Sequence, residues 1–230
     1  MAARRDLDGA VVAVVGATGG MGTALTEALR GAGATVVTAN RSGGTDVTLD
    51  LRDASAGDLL VDHVRAAHGR LDGVVIAAGI VAFGDVADTD DVVLEELLLT
   101  NAMGPVWLAR RARPLLAESR GFLVNLSGVV AESPVAGMVA YSASKAAASM
   151  AFRALAKEWR RDRIDVIDAR PPHTETGLAD RPLAGTAPSM PTGLDPADVA
   201  RRVLEAITAG EREVSAADFG RDERAADDPA

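Results

Sequence analysis

The stretch Ala10-Val11-Val12-Ala13-Val14-Val15-Gly16-Ala17-Thr18-Gly19-Gly20-Met21-Gly22 decides the fold. Its first half is a short, unbroken apolar run with four valines. That length and β-branching predict a strand buried on both faces, as in a parallel sheet. The second half places four glycines in seven residues, and a helical pattern, Thr23 to Arg30, follows until Gly31 and Gly33 stop it. After a buried strand and before a helix, such glycines let the main chain approach a pyrophosphate, while the helix N-terminus offers unpaired N–H groups to the anion. A tight turn without a ligand would favour glycine too. Gly16, Gly20 and Gly22 fit G-x-x-x-G-x-G, whereas Gly16, Gly19 and Gly22 fit G-x-x-G-x-x-G. The spacing alone leaves that choice open.

Working outward, Thr35 to Ala39 reads as a second strand ending at Asn40-Arg41-Ser42. In a dinucleotide fold this end lies beside the adenosine ribose, where a carboxylate binds the 2′-hydroxyl and a basic residue accommodates a 2′-phosphate. Arg41 with no carboxylate beside it predicts NADP(H) in preference to NAD(H). Only Ser42 to Thr45 separates this strand from the next, Asp46 to Leu49, so the usual crossover helix is reduced to a loop. Asp50-Leu51-Arg52-Asp53 follows, with Asp53 or Ser55 as cap of a helix running to about His68. Leu71 to Ala77 is another buried strand, and Ala77-Ala78-Gly79 at its end is small enough for close approach of a cofactor.

Asp91 to Glu118 reads as one long helix with Leu94, Leu97, Leu98, Val106 and Leu108 as its buried stripe. Pro105 removes a hydrogen bond and predicts a kink near Asn101. A polar Asn101 on that apolar face is either a satisfied core residue or the holder of a water at a site. Phe122 to Leu126 is a strand leading to Ser127-Gly128, and Asp165 to Ala169 leads to Arg170-Pro171-Pro172-His173-Thr174-Glu175-Thr176. Residues 177–194 are rich in Pro, Gly and small side chains and read as a flap. Pro196 to Ala209 is a helix capped by Asp195, and Glu213 to Ala217 is a last strand. The expected organisation is one domain, residues 1–219, with a charged, disordered tail over 220–230. Strands alternating with helices predict an α/β fold: a single, doubly wound, mostly parallel Rossmann-like sheet with helices on both faces.

Tyr141-Ser142-Ala143-Ser144-Lys145 carries the chemistry. Tyr141 is the sole tyrosine, and Lys145 and Lys157 are the two lysines. Ser142 to Arg160 is Ala-rich and reads as helix, with Ala146, Met150, Ala154 and Leu155 recurring at helical spacing. Residues i and i+4 share a helix face, so a phenol and an ammonium can enter one space. A fixed cation favours the phenolate and lowers the phenol pKa toward the range useful for acid–base catalysis.

Composition limits the alternatives. A net charge of −9 with scattered basic residues argues against nucleic acid. The absence of cysteine removes disulfides, thiol nucleophiles and cysteine metal sites. His63, His68 and His173 form no metal pattern, so no metal is expected. No signal peptide and no apolar run of bilayer-spanning length is read, so a soluble cytoplasmic protein without a membrane partner is expected.

Taken in order, Gly16/Gly20/Gly22, Asp50, Ala77-Ala78-Gly79, Asn101, Tyr141/Lys145 and the Pro171-to-Thr176 segment resemble the short-chain dehydrogenase/reductase family, in its single-domain branch. The likeness runs from Val11 to about Val214. It implies Tyr141 as general acid or base at the substrate oxygen and Lys145 on the nicotinamide ribose. It implies Asn101 at a proton-relay water and Asp50 and Leu51 at the adenine. Thr176 and the backbone near Pro172 would meet the carboxamide, with Gly16, Thr18, Gly20, Met21, Gly22, Arg41, Ala77, Ala78, Gly79, Pro171 and Thr174 completing the cofactor site. The family also pairs the helices at 91–118 and 142–160 across a two-fold axis, so a homodimer or homotetramer is expected.

Three departures stand out. The family's serine, thirteen residues before the tyrosine, is Gly128 here, which leaves Ser127, His173 or neither to supply that contact. Pro171-Pro172 replaces Pro-Gly, and the last strand lacks a glycine-rich ending. With Val129, Val130, Pro134, Met138, His173 and the flap as expected, mostly apolar pocket walls, the leading expectation is an NADP(H)-dependent interconversion of a small carbonyl and a secondary alcohol. A nucleotide-binding sensor or subunit that has lost catalysis is the rival reading, and a lyase or epimerase on the same fold comes third.

Overall fold

A computed structural model describes residues 5–220; the tail expected beyond residue 220 lies outside them. The strands are β1 (Val11–Val15), β2 (Thr35–Asn40), β3 (Val47–Thr48), β4 (Gly73–Ile76), β5 (Phe122–Leu126), β6 (Asp165–Ala169) and β7 (Glu213–Val214). The helices are α1 (Gly20–Gly31), α2 (Ala56–His68), α3 (Asp91–Leu98), α4 (Gly104–Ser119), α5 (Val139–Glu158) and α6 (Pro196–Ala209). All seven strands pair parallel in the order β3-β2-β1-β4-β5-β6-β7. The chain therefore leaves β1 toward β3, then returns to place β4 on the other side of β1. That reversal opens a crevice at the carboxyl ends of β1 and β4.

The alternation of strand side chains explains the two cores. Ala13, Val15, Val37, Val74, Ile76, Leu123 and Val166 face one layer with Leu60, Leu108, Leu116 and Phe152 from α2, α4 and α5. Val12, Val14, Val75, Val124 and Ile167 face the other, with Leu25, Leu29, Val203 and Ile207 from α1 and α6. Leu25 and Leu29 are almost wholly buried, so truncating either to alanine removes about 2–5 kcal/mol.

Several boundaries differ from expectation. The β2–β3 link is indeed a loop, and Ala39 pairs with Val47. Ser55 stands at the α2 N-cap, but its hydroxyl donates to Asp53 Oδ1 at 2.8 Å and caps nothing in the helix. Asp195 does cap α6, accepting from Ala197 N at 2.8 Å. Strand β7 stops at Val214, and Ala216–Phe219 is a 3-10 turn.

Residues Asp91–Ser119 form one continuous 29-residue helical stretch, apolar enough by length and composition to cross a bilayer, contrary to the reading that no such run exists. Its side chains Leu97, Leu108, Leu115 and Leu116 lie in the protein core. Leu98, expected in the buried stripe, is exposed. A turn of π-helix, Leu99–Met103, interrupts the ladder, and Gly104 N donates to Leu99 O, five residues back. The extra residue shifts the helix phase, which is why one regular stripe does not fit both halves. Helix α5 begins at Val139, so Tyr141 sits inside its first turn. Its buried face carries Ser142, Ser144, Lys145, Ala148, Ser149, Phe152 and Ala156. The expected Met150 and Ala154 point outward instead, because the buried face carries Lys145 and Ser149 in line with Ala148, Phe152 and Ala156.

Candidate active site

The crevice is built from close approaches that side chains would forbid. A Cβ on Gly16 would lie 2.6 Å from Ala78 N, so the loops after β1 and β4 touch across the switch point. A Cβ on Gly22 would lie 2.0 Å from Gly16 O, and one on Gly20 would lie 2.7 Å from Thr176 Cα. Gly19 at the N-cap has no side chain to cap α1, which leaves that helix N-terminus without a side-chain cap. This cradle of main chain and a bare helix N-terminus fits a pyrophosphate. Thr18 is exposed on the loop tip and Met21 is half-buried. Pro171 is buried, and Thr174 Oγ1 donates to Pro172 O at 2.9 Å, which fixes the turn leading to Thr176.

At the adenosine end, Arg41 is exposed just beyond β2, and Asn40 Nδ2 donates to Ser42 Oγ at 2.8 Å. Asp50 is committed to Arg52, which donates from Nη2 to its Oδ2 at 2.7 Å, while Arg52 Nη1 lies 3.2 Å from Glu96. The bond from Arg52 holds the Asp50 carboxyl below its ordinary range, with Arg41 adding a smaller effect of the same sign. Leu51 does not face this end: at 4 % exposure it belongs to the core, and its carbonyl packs against Gly104.

Asn101, Ser144 and Tyr141 form a chain. Asn101 Oδ1 accepts from Ile80 N at 2.9 Å; its Nδ2 donates to Ile80 O at 2.9 Å and to Ser144 Oγ at 3.0 Å. Ser144 Oγ in turn donates to Tyr141 O at 2.8 Å. The Asn101 side chain is thus a satisfied core amide. What stays open is the main chain of its turn, because Pro105 has no N–H to give to the carbonyls of Thr100 or Asn101. Lys145 Nζ donates to Leu126 O at 2.8 Å. A Cβ on Gly79 would lie 3.3 Å from Lys145 Nζ and 3.4 Å from Asn101 Oδ1, so the three converge at the end of β4.

Tyr141 packs with Val130, Leu178, Ala179 and Ala187 around Val81, Phe83 and Met138. Burial pushes its phenol up to about 12, opposite to the lowering expected from Lys145. Burial likewise pushes Lys145 down to about 8, with Asp168 acting against it. Residues 177–194 hold no helix or strand and are pinned at two places. Leu183 N donates to Val81 O at 2.7 Å, and Leu194 N donates to His173 O at 2.9 Å.

The two candidates for the missing hydroxyl are placed differently. Ser127 is fully buried; its Oγ accepts from Asn125 Nδ2 at 2.8 Å and donates to Asp168. It is turned into the interior, because adjacent residues leaving a strand point to opposite sides, and it does not reach the crevice. Gly128 has φ 79 and ψ 162, a region essentially restricted to glycine. Val129 and Val130 are half-buried beside it, and Pro134 is exposed, so Pro134 is no pocket wall. His173 Nε2 lies 3.5 Å from Glu175 Oε1. Its imidazole lines a cleft of about 280 Å³ with Thr174, Leu178, Asp180, Pro188 and Met190.

Sequence reasoning missed the buried polar cluster under this site. Asp168 on β6 accepts from Ser127 Oγ, from Ser149 Oγ at 2.6 Å and from Arg170 Nη1 at 2.8 Å. The available signal was an aspartate inside an otherwise buried strand.

The match to known proteins decides the family. The model of the short chain dehydrogenase family matches residues 10–184. This chain belongs to the short-chain dehydrogenase/reductase family. It is 30% identical to a dehydrogenase/reductase SDR family protein 7-like of Anopheles gambiae, over 91% of this chain and 75% of the relative. Two solved structures share the fold. A 3-ketoacyl-(acyl-carrier-protein) reductase from Brucella melitensis complexed with NADH superposes with a TM-score of 0.81 at 20% identity, covering 93% of this chain and 99% of the other. A short chain dehydrogenase from Burkholderia cenocepacia in complex with NADP gives 0.81 at 24%, covering 92% and 89%. As a short-chain dehydrogenase/reductase, the chain is an oxidoreductase with an NAD(P)-binding fold. One neighbour carries NADH and the other NADP, so likeness alone does not select between them.

Proposed function

We propose that the chain is an NADP(H)-dependent reductase that interconverts a carbonyl and a secondary alcohol, with Tyr141 exchanging the proton at the substrate oxygen. The observation that carries this reading is the convergence of Lys145, Asn101 and Gly79 at the end of β4, with Tyr141 one turn before Lys145 on α5. When bound, the nicotinamide supplies or accepts the hydride. A phenol held near 12 keeps its proton at neutral pH, so Tyr141 is suited to donate to the oxygen of a ketone being reduced. In this reading Lys145 would hold ribose hydroxyls and Arg41 would meet a 2′-phosphate. The apolar ring of Val81, Phe83, Met138 and Leu178 around Tyr141 favours a small hydrophobic ketone. The working unit in this reading is a homodimer or homotetramer.

The test is NADPH consumption with a panel of small apolar ketones, by wild type and by Tyr141→Phe. Turnover in the wild type and none in the variant, with cofactor binding retained, supports the reading. One observation favours a second reading, a nucleotide-binding protein without turnover. Gly128 carries no hydroxyl, and Ser127 gives its own to Asp168. Tight NADPH binding with no consumption across the panel would favour it.

A further inference from the structure

Among the described residues, Lys145 is a buried ammonium without a direct carboxylate partner. It is 7% exposed, and the hydrogen bond found for its Nζ goes to Leu126 O, a neutral carbonyl. A lysine in such a place tends to shed its proton, since burial disfavours the charged form. Both anchors of Lys145 nevertheless adjoin residues bonded to one carboxylate. On α5, Ser149 lies one turn beyond Lys145 on the same face, and its Oγ donates to Asp168 Oδ2 at 2.6 Å. On β5, the residue after Leu126 is Ser127, whose Oγ donates to Asp168 Oδ1. Asp168 is 1% exposed.

The remaining charges around this carboxylate matter for its field. Arg170, on the same segment, donates to Asp168 at 2.8 Å and would cancel its charge if it had no other partner. It has two. Glu132, past the turn after β5, forms an ion pair with Arg170 Nε at 2.7 Å without hydrogen-bond geometry, and Glu213 on β7 lies 3.2 Å from Nη2. Glu213 is shared in turn with Arg153 of α5 at 2.7 Å. Tyr141, one turn before Lys145 on α5, is a neutral phenol, and Asn101 and Gly79 on the β4 side bring no charge.

We propose that Asp168 is the buried counter-charge that keeps Lys145 an ammonium through neutral pH, a positioning residue acting on the site through Lys145. The inference deepens the function proposed above, since it gives the site a pH limit that Asp168 sets. The direction agrees with the electrostatics, in which burial lowers Lys145 to about 8 and Asp168 opposes the fall.

The chain has two lysines, Lys145 and Lys157, so the question can be read directly. Protein labelled with 13C at lysine Cε gives two signals, and Lys157→Arg identifies that of Lys145. In the wild type its titration midpoint is expected near pH 8. In Asp168→Asn it is expected to fall by about one pH unit or more, the usual size of one opposite charge a few ångströms away. Arg170→Gln is expected to move it upward, because the carboxylate then loses its competing cation. Ser149→Ala keeps every charge and is expected to leave the midpoint at its wild-type value. Should Asp168→Asn not fold, the upward shift in Arg170→Gln carries the test. An unchanged midpoint in the folded charge variants, or shifts of one sign in all three variants, overturns the proposal. The titration needs no turnover, so an inactive protein that still shows opposite shifts would refute the enzymatic reading and leave this one standing.

Discussion

The Ser127 hydroxyl donates to the Asp168 carboxylate in the interior of the sheet, so the hydroxyl nearest in sequence to the family's serine position is spent on the core. Asp168 and Asn125 Nδ2 both depend on it. Ser127→Ala leaves one buried acceptor and one buried donor short of a partner, which costs about 1–3 kcal/mol. Urea unfolding should show that loss. A wild-type midpoint would mean that water or a rearranged Ser149 replaces the bond.

Gly128 cannot be turned into the missing serine at no cost. Its φ of 79 and ψ of 162 are strained for any residue with a Cβ, by about 1–3 kcal/mol. Space is not the obstacle, since the nearest atom to a built Cβ is Pro171 O at 3.8 Å. Gly128→Ser and Gly128→Ala should therefore lower stability alike. Destabilisation of the serine variant alone would point away from backbone strain.

Arg41 is exposed at the end of β2, with Asp50 already paired to Arg52. A charge-assisted contact to a 2′-phosphate contributes about 1.5–3 kcal/mol, so NADPH should bind about tenfold or more tightly than NADH. Arg41→Ala should remove the preference while leaving NADH affinity nearly unchanged. Equal affinities in the wild type would sink the assignment of Arg41.

Stability should vary with pH in a direction that Lys145 sets. Its folded value of about 8 lies below its ordinary 10.5, so between these the unfolded chain binds more protons and stability rises with pH. The full difference is on the order of 3 kcal/mol. Tyr141 has the opposite sign: raised from 10.0 to about 12, it makes stability fall again above pH 10. Thermal unfolding of wild type against Lys145→Met from pH 7 to 10 should show the wild type gaining on the variant. Parallel curves would contradict a buried, destabilised ammonium.

The outward faces of α3 to α5 expose Val92 (58%), Met103 (43%) and Met150 (62%). Large side chains this exposed on neighbouring helices suit a self-complementary contact. Light scattering at micromolar concentration should give the mass of a dimer or tetramer, and Met103→Arg with Met150→Arg should shift it toward monomer. A monomeric wild type would refute the assembly.

Local chemistry made much of this protein readable before any coordinates. The valine run and the glycine cluster specify a buried parallel strand and an anion-binding turn through steric rules that act within a dozen residues. Tyr141 and Lys145 fall on one side of α5 through helical period alone. The Pro105 interruption was legible too, because a missing N–H is a property of the residue. Its form, a π-turn that shifts the phase between α3 and α4, was not, since the phase of a helix after an inserted residue is chosen by what it packs against.

Other features depended on tertiary structure. Periodicity assigned Met150 and Ala154 to the buried face of α5, whereas the sheet receives Lys145, Ser149 and Phe152 instead. Apolar spacing marks a stripe but cannot say whether the core or another surface covers it. The direction of Ser127, the commitment of the Asn101 amide to Ile80 and the charge balance around Asp168 join residues up to 60 positions apart in the chain. Such bonds form only when β5, β6 and α5 are brought side by side, and the low dielectric of that junction is what makes their pairing, and the charge on Lys145, depend on one another.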